Sequence, residues 1–256
     1  MLNGLRKTKV SEEIDLFTLD LRKIGQSDGK LIDKHIVEIC EGQSGSDVEL
    51  VKKNLLKFIE TKSKETKYGA VAEFFVHLCV REMGLRQEFL FRNLEEGSIK
   101  KGFDGYFSQG KNTFMVESKS GACSTKNISH TTKIKEAYND LKGIVSGNSS
   151  KSKNNPWRNA YNHARHADVG SSKSIYQKLK ILSDKYDEED FGNILDFRII
   201  VASTIFRENN NSPDFHSQIL SSPKNLLEKF KSEQTKIICL TKQTYEAFIL
   251  YLKDEL

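Results

Sequence analysis

The stretch that decides the fold spans residues 102–121 and reads GFDGYFSQGKNTFMVESKSG. Two alternating runs, 103–107 and 113–119, flank a short polar segment that contains Gly110. Alternation on both sides of a glycine-containing turn predicts a β-hairpin. We expect the rest of the chain to be organised around this hairpin.

Three charged side chains come together when the hairpin folds. Glu117 and Lys119 are two residues apart, and side chains two apart on a strand point to the same face. Folding about Gly110 places Asp104 roughly opposite Val116 and Glu117. The sequence therefore predicts that two carboxylates and one lysine converge at a strand end.

Such a group of side chains has a chemical use. Two carboxylates at close quarters repel each other, and a bound cation relieves the repulsion. Oxygen-only ligation suits Mg²⁺ or Mn²⁺, so Asp104 and Glu117 are candidate metal ligands and catalytic residues. Lys119 could orient a metal-bound water or neutralise developing negative charge, as phosphodiester hydrolysis requires.

The alternative is a surface hairpin with an exposed Glu–Lys pair, because E-x-K is a common triplet. Three features count against it. Glu117 ends an apolar run, Asp104 lies between two glycines, and a connection of hairpin length joins the two carboxylates.

Asp104 followed by Glu117-Ser118-Lys119 resembles the core motif of the PD-(D/E)xK nuclease superfamily. The order GFDG, a short turn and an apolar run into ESK is similar, more narrowly, to the nuclease subunit of Hachiman anti-phage systems. The similarity covers about residues 67–145, with Phe103 in the place of the proline in the superfamily name.

The resemblance implies a fold, an activity and partners. The fold would be α/β and restriction-endonuclease-like, with a mixed central β-sheet flanked by helices. The activity would be that of a metal-dependent DNA endonuclease in bacterial anti-phage defence, controlled by a superfamily 2 helicase partner. By position, the backbone carbonyl of Ser118 would also ligate the metal, as its counterpart does in the family.

A helix is predicted over residues 68–84, and Glu73 interrupts its apolar surface. An ionised carboxylate in an apolar stripe is costly unless it has a partner. The resemblance implies that this acidic residue, on the helix before the hairpin, completes the metal site. The alternative is a residue at the edge of the stripe that pairs with Arg81, His77 or a lysine.

Positive charge is concentrated directly after the hairpin. Residues 121–180 carry eleven Lys or Arg against three Asp or Glu, a net charge of +8, whereas the whole chain carries +5. A polyphosphate backbone is the natural partner of such a segment, through release of its counterions, although a solvated basic face would give the same pattern. The candidate nucleic-acid-binding residues are Lys126, Lys133, Lys135, Lys142, Arg158 and Arg165.

Composition changes between residues 146 and 174, which are rich in Ser, Asn and Lys. We predict a basic insert, largely loop, with a helical piece around residues 158–167. Trp157 beside Arg158 could stack on a single strand or anchor a partner protein. His163 and His166 have helical spacing, but a basic surface helix is favoured over a metal site because no carboxylate or cysteine flanks them closely.

Length and composition describe a soluble protein with a sizeable core. The chain has 256 residues, of which 37 % are hydrophobic and 29 % charged, and no apolar run approaches the ~18 residues of a membrane span. No apolar region follows the basic N-terminal residues, so a signal peptide is not expected. The four cysteines are dispersed without a C-x-x-C pair, which favours the reducing cytoplasm.

Strand and helix patterns alternate after the hairpin, as in a mixed sheet flanked by helices. We assign residues 1–62 to an N-terminal segment that packs on the core and residues 63–256 to the nuclease domain. Residues 31–40 are compatible with either a strand or a helix. The other predicted strands are 16–22, 86–94, 196–206 and 236–240, and the other predicted helices are 47–62, 131–145, 175–186, 222–231 and 241–256, the last with Thr241 as its cap.

Two other functions stay open from the sequence. One is a non-catalytic nucleic-acid- or partner-binding subunit on a degenerate nuclease fold, because a single distorted strand would disable the site. The other is an enzyme that acts on a small molecule, for which the sequence contains no cofactor motif. The choice of DNA over RNA rests on the resemblance alone.

Overall fold

The computed structural model describes residues 2, 4–91, 102–148, 155–166, 171–207, 214–243 and 245–253. The strands in this part of the chain are Arg6–Lys9 (β1), Ile14–Leu21 (β2), Arg86–Gln87 (β3), Gly105–Gln109 (β4), Asn112–Ala122 (β5), Arg198–Arg207 (β6) and Gln234–Gln243 (β7). The helices are Gln26–Glu41 (α1), Val48–Glu60 (α2), Lys64–Glu82 (α3), His130–Val145 (α4), Pro156–His166 (α5), Lys173–Asp187 (α6), Phe215–Leu220 (α7), Lys224–Leu227 (α8) and Glu246–Leu252 (α9).

The strands form one mixed sheet in the order β1-β2-β7-β6-β5-β4-β3. The four central strands, β2, β7, β6 and β5, run parallel, and the strands at both edges pair antiparallel. Strand β6 is buried along almost its whole length, as expected for a parallel strand covered on both faces. The predicted α/β class with a mixed sheet flanked by helices is confirmed, and it is compatible with a restriction-endonuclease-like fold.

Helices cover both faces of the sheet. On one face, α1, α2, α3 and α9 pack against side chains such as Val116 and Ile200. On the other face, α4, α5 and α6 pack against side chains such as Met115 and Val201. Because successive strand residues point to opposite faces, the side chains of odd-numbered residues in this part of β5 lie on the α4 side.

The N-terminal segment contributes to the same sheet as the hairpin. Strand β2 pairs with the central strand β7 over residues 14–21, and β1 follows at the edge. Residues 31–40, for which the sequence left two possibilities, lie within helix α1, whose Ile32, Ile36 and Ile39 are buried at helical spacing.

Two predicted elements are longer than the observed ones. The strand predicted over residues 86–94 is reduced to β3, because beyond Glu88 the backbone turns from β4 to helix α1, where the N–H of Phe91 donates to the carbonyl of Ile39. Residues 92–94 of that prediction lie outside the described residues. Of the helix predicted over residues 222–231, only Lys224–Leu227 (α8) is helical in the structure.

The prediction that Thr241 caps the C-terminal helix is wrong. Thr241 is a buried strand residue, and its hydroxyl pairs with the ring of His130 at 3.0 Å. Strand β7 continues to Gln243, and α9 begins only at Glu246. The observed strand β7 is therefore longer than the strand predicted over residues 236–240.

Across the residues that the structure describes, no helix combines the length and apolarity that a membrane crossing demands.

Candidate active site

Strands β4 and β5 form the predicted hairpin. A two-residue turn, Gly110 and Lys111, joins them, and Gly110 has a φ of +60°, a conformation that glycine adopts without strain. Gly105 pairs with Val116, and the N–H of Asp104 donates to the carbonyl of Val116 at 3.0 Å. Asp104 therefore lies where the sequence placed it, directly before the first residue of β4 and opposite residues 116 and 117.

The structure explains why glycine is present at positions 102 and 105, on either side of Asp104. Gly102 has a φ of +90°, in the left-handed region. Gly105 is packed so tightly that a Cβ there would lie 3.0 Å from Phe107, 3.3 Å from His77 and 3.4 Å from Val116. The backbone on both sides of the Asp104 carboxylate is thereby held in one path.

Asp104 binds the backbone of the neighbouring strand. Its Oδ2 accepts a hydrogen bond from the N–H of Ser118 at 2.7 Å. The N–H and C=O of one strand residue point to the same edge, and β4, which begins at Gly105, does not extend to this position. The Ser118 carbonyl therefore faces the same open edge as the Asp104 carboxylate, which is where the resemblance places a ligand.

Glu117 is a buried carboxylate on the α4 side of the sheet. Burial raises its pKa well above the ordinary value, the charge of Asp104 raises it further, and the ammonium of Lys119 opposes both effects. A carboxylate so placed is poorly stabilised as an anion unless a cation is close. This is the electrostatic condition that the sequence predicted for a metal ligand.

Lys119 is the cation beside it. Its Nζ makes an ion pair with Glu117 and lies 2.8 Å from Oδ2 of Asp140. Burial alone would lower the pKa of Lys119, but the charges of Glu117 and Asp104 and its hydrogen bonds raise it above the usual lysine value. These partners favour the protonated, charged form of Lys119, which donates hydrogen bonds.

Asp140, on helix α4, is the member of the site that sequence reasoning missed. It lies three residues after Ala137 and directly before Leu141, both of which belong to the buried stripe of α4. An acidic residue at the edge of a helix's apolar stripe could have identified Asp140 as a candidate, because the same feature identified Glu73. We refer to Asp104, Glu117, Lys119 and Asp140 as the carboxylate–lysine cluster.

Glu73 approaches from the other side of the sheet. It lies on α3, which packs on the face opposite α4, and its Oε1 is 3.8 Å from Nε2 of the buried His77. His77 was one of the partners that the alternative interpretation named. Participation of Glu73 in a metal site stays a prediction.

The donor chemistry of the cluster fits a hard divalent cation. Among the residues that the structure describes, no group of three or more His, Cys, Asp or Glu side chains could hold a metal ion. Mg²⁺, however, is commonly bound by one or two carboxylates and completes its shell with water. Asp104, Glu117 and the Ser118 carbonyl carry oxygen donors of this type, and burial and the charge of Asp104 raise the pKa of Glu117.

The predicted nucleic-acid contacts fall into two groups. Lys126 is exposed in the loop after β5, and Lys135 and Lys142 are exposed on α4. Lys133 lies over Gly121, two residues beyond Lys119 on β5, and pairs with Glu136 at 2.8 Å. These four lysines lie on β5's connection to α4 and on α4 itself, the elements that adjoin the cluster.

The second group lies on α5. Arg158 makes an ion pair with Asp187 and donates from Nε to Oγ of Ser183 at 3.1 Å. Arg165 is exposed and donates to the hydroxyl of Tyr161 at 3.0 Å. Arg158 is thus engaged within the protein, whereas Arg165 points to the surface.

Trp157 does not have the exposure that stacking on a nucleic-acid strand requires. The helix predicted around residues 158–167 is observed as α5, but its Trp157 is only 3 % exposed. The indole stacks on Phe197 at 5.5 Å and meets Phe103 edge-on. Trp157 is a core residue, because it begins the apolar stripe that Ala160 and Ala164 continue.

No protein-family model matches this chain, and a search of curated proteins finds no match either. The chemistry of the cluster is therefore inferred from its geometry.

Proposed function

We propose that this protein is a metal-dependent nuclease that hydrolyses DNA phosphodiester bonds. The observation that carries the proposal is the position of Lys119 beside Glu117, with Asp104 at the end of the adjoining strand. Two carboxylates and a protonated lysine at one strand end match what phosphoryl transfer needs: negative groups for a cation and a positive group for the phosphate.

Asp104 and Glu117 would hold Mg²⁺ or Mn²⁺, with the Ser118 carbonyl as a further oxygen ligand and Glu73 as a supporting carboxylate. The bound cation would supply a nucleophilic water at neutral pH and polarise the phosphate. Lys119, held as a cation by its neighbours, would donate hydrogen bonds to the attacking water or to a phosphate oxygen. The four lysines after β5 would hold the DNA backbone across this end of the sheet.

The biological setting is proposed on the resemblance alone. It suggests a cytoplasmic protein of bacterial anti-phage defence with a superfamily 2 helicase as partner. The sequence contains no Walker loop, so any work driven by ATP would come from that partner.

A second candidate function is a non-catalytic subunit that binds nucleic acid or a partner protein. One observation favours it: the ammonium of Lys119 lies between Glu117 and Asp140, so the carboxylates already have a cation. The two candidates differ in whether a divalent ion binds productively at the cluster.

Cleavage of supercoiled plasmid in Mg²⁺, in Mn²⁺ and in EDTA tests the proposal. The proteins to compare are the wild type, Glu117→Gln, Lys119→Met and a control, Asp184→Asn, whose carboxylate pairs with Lys180 on α6 away from the cluster. DNA binding of each protein is measured in parallel by fluorescence anisotropy, alone and with the co-encoded helicase where one exists.

We expect metal-dependent cleavage by the wild type and by Asp184→Asn, and none by the two cluster variants. Cleavage that persists in both cluster variants would show that these residues are not the catalytic ones. DNA binding without cleavage under every condition would replace the nuclease by the non-catalytic subunit.

A further inference from the structure

Asp140 has no role in the metal site proposed above, yet it contacts the proposed catalytic lysine directly. Its Oδ2 lies 2.8 Å from Nζ of Lys119, and both side chains are about one-fifth exposed. The two residues are on different elements: Lys119 on β5 and Asp140 on α4. The contact is thus made by the packing of α4 on the sheet and not by the hairpin.

Helix α4 is fixed at two points, one on the sheet and one on the segment before β7. At its first residue, the buried ring of His130 pairs with Oγ of Ser203 on β6 at 2.8 Å and with Oγ1 of Thr241 on β7 at 3.0 Å. Further along, the hydroxyl of Tyr138 donates to the carbonyl of Lys231 at 2.7 Å. A carboxylate carried on a helix anchored in this way has a defined position relative to the strands.

The two carboxylate partners of Lys119 differ in their proposed roles at the metal site. Glu117 is a proposed metal ligand, so its interaction with Lys119 would weaken when a divalent ion binds. Asp140 contacts the same ammonium from helix α4 and is not among the proposed ligands. It is the partner that Lys119 would keep when the metal is bound.

We infer that Asp140 is a positioning residue that holds the Lys119 ammonium in place once Glu117 ligates the metal. This inference rests on the proposed nuclease function. Without Asp140, Lys119 would lose a fixed direction for its hydrogen bonds at the reacting phosphate, and the loss would fall on the chemical step and not on the binding of DNA.

The first test does not depend on cleavage. Surface amines of the metal-free and Mg²⁺-bound protein are acetylated briefly at pH 8, and the modification of each lysine is read by mass spectrometry. We expect Asp140→Asn to raise the labelling of Lys119 about 3- to 10-fold, because an ammonium group that is no longer held by the carboxylate on α4 is more accessible to the reagent. The increase should be larger with Mg²⁺ bound, when Glu117 no longer compensates.

The matched control is Asp184→Asn. It removes a helix-borne carboxylate from Lys180 and should leave Lys119 labelling unchanged. Thermal unfolding confirms that each variant is folded, and Asp140→Glu, which retains the charge, should bring the labelling of Lys119 back towards the wild-type level.

The second test is kinetic. For cleavage of a short duplex, Asp140→Asn should lower kcat about 10- to 100-fold with little change in KM, and Asp140→Glu should restore part of the rate. Unchanged labelling of Lys119 in Asp140→Asn, or an unchanged kcat in an active enzyme, would overturn the inference. A wild type that never cleaves DNA while Asp140→Asn still raises Lys119 labelling would overturn the nuclease proposal and leave Asp140 only as the residue that holds Lys119.

Discussion

The carboxylate of Asp104 accepts a hydrogen bond from the backbone N–H of Ser118 at 2.7 Å, which ties the start of β4 to the middle of the E-S-K triplet. An asparagine at position 104 could accept the same hydrogen bond, because its side-chain carbonyl replaces one carboxylate oxygen. Asp104→Asn therefore separates the charge of this residue from its structural contact.

We expect Asp104→Asn and Glu117→Gln to abolish stabilisation of the protein by Mg²⁺. A ligand that binds only the folded state at 100 times its Kd stabilises by about 2.7 kcal/mol, so the wild type should melt several degrees higher in Mg²⁺ than in EDTA. Differential scanning calorimetry in both buffers measures the shift. Asp184→Asn should behave as the wild type, and an equal shift in all four proteins would place the metal elsewhere.

Glu117 should make the metal-free protein less stable as the pH rises. Burial and the Asp104 charge raise its pKa well above the ordinary value of 4.5. Such a group contributes stability that is fully present below its ordinary pKa and is lost as the pH rises through the raised, folded-state pKa.

In EDTA, Glu117→Gln should therefore unfold in more urea than the wild type at neutral pH, with a smaller difference near pH 4.5. Lys119 keeps Asp140 as a partner in this variant. Urea titrations across this pH range measure the difference. A wild type that is the more stable of the two at neutral pH would show that Glu117 is adequately compensated by Lys119 alone.

His130 should have the opposite pH dependence. Burial, with the nearby charge of His216, lowers its pKa to about 3. Its ring faces Ser203, Thr241 and Phe215, none of which carries a charge. Stability from a group with a lowered pKa is fully present above the ordinary value of 6.5 and is lost as the pH falls towards the folded-state pKa.

At neutral pH, His130→Gln should be about 1 kcal/mol less stable than the wild type, because glutamine bonds imperfectly to Ser203 and Thr241. Between pH 6.5 and pH 4, however, the stability of the variant should fall by less than that of the wild type. Thermal unfolding of both proteins across this range tests it. The pKa of His35 is also lowered, so the informative quantity is the difference between the two proteins. Parallel curves would show that His130 does not titrate on unfolding.

Gly105→Ala should destabilise the hairpin. The added methyl group would press on the ring of Phe107, on His77 and on Val116, at a cost of about 1–3 kcal/mol for overpacking. The matched control is Gly69→Ala in α3, where a Cβ meets nothing within 4 Å and where alanine should gain up to about 1 kcal/mol as the better helix former. Chemical denaturation of both variants gives the comparison, and an equally stable Gly105→Ala would mean that β4 can shift to make room.

The lysines after β5 and Arg158 on α5 should differ in their effect on DNA binding. Lys135→Ala combined with Lys142→Ala should weaken binding to any sequence and reduce the salt slope by about 1 for each phosphate that the protein no longer neutralises. Arg158→Ala should instead lower protein stability and leave the slope nearly unchanged, because its guanidinium already binds Asp187 and Ser183. Anisotropy titrations at several salt concentrations measure both, and a larger effect of Arg158→Ala on the slope would move the DNA path towards α5.

Some of the fold could be predicted because its causes are local. The hairpin register depends on period-two alternation and on one glycine at the turn, which act within about ten residues. Helix α2 begins at a side-chain cap, Asp47, that binds the backbone three residues ahead. The position of Asp104 opposite Val116 follows from these short-range rules.

Other features depended on which distant surfaces meet. Trp157 lies in a basic segment with the composition of a nucleic-acid contact. Its ring is nevertheless buried, because it packs against Phe103 and Phe197. Thr241 had the pattern of a helix cap, but the parallel pairing of β7 with β6 extends the strand through it. In both cases tertiary packing overrode a local preference of the chain.

The sequence by itself determined the hairpin, the α/β class and the meeting of Asp104, Glu117 and Lys119, because strand periodicity and turn chemistry act over short distances. Only the tertiary structure decided that Asp140 completes the cluster and that Glu73 lies across the sheet. Asp140 reaches Lys119 because α4 crosses the face on which Glu117 and Lys119 point. No local pattern encodes which face a helix covers, since that depends on the buried surfaces of the whole sheet.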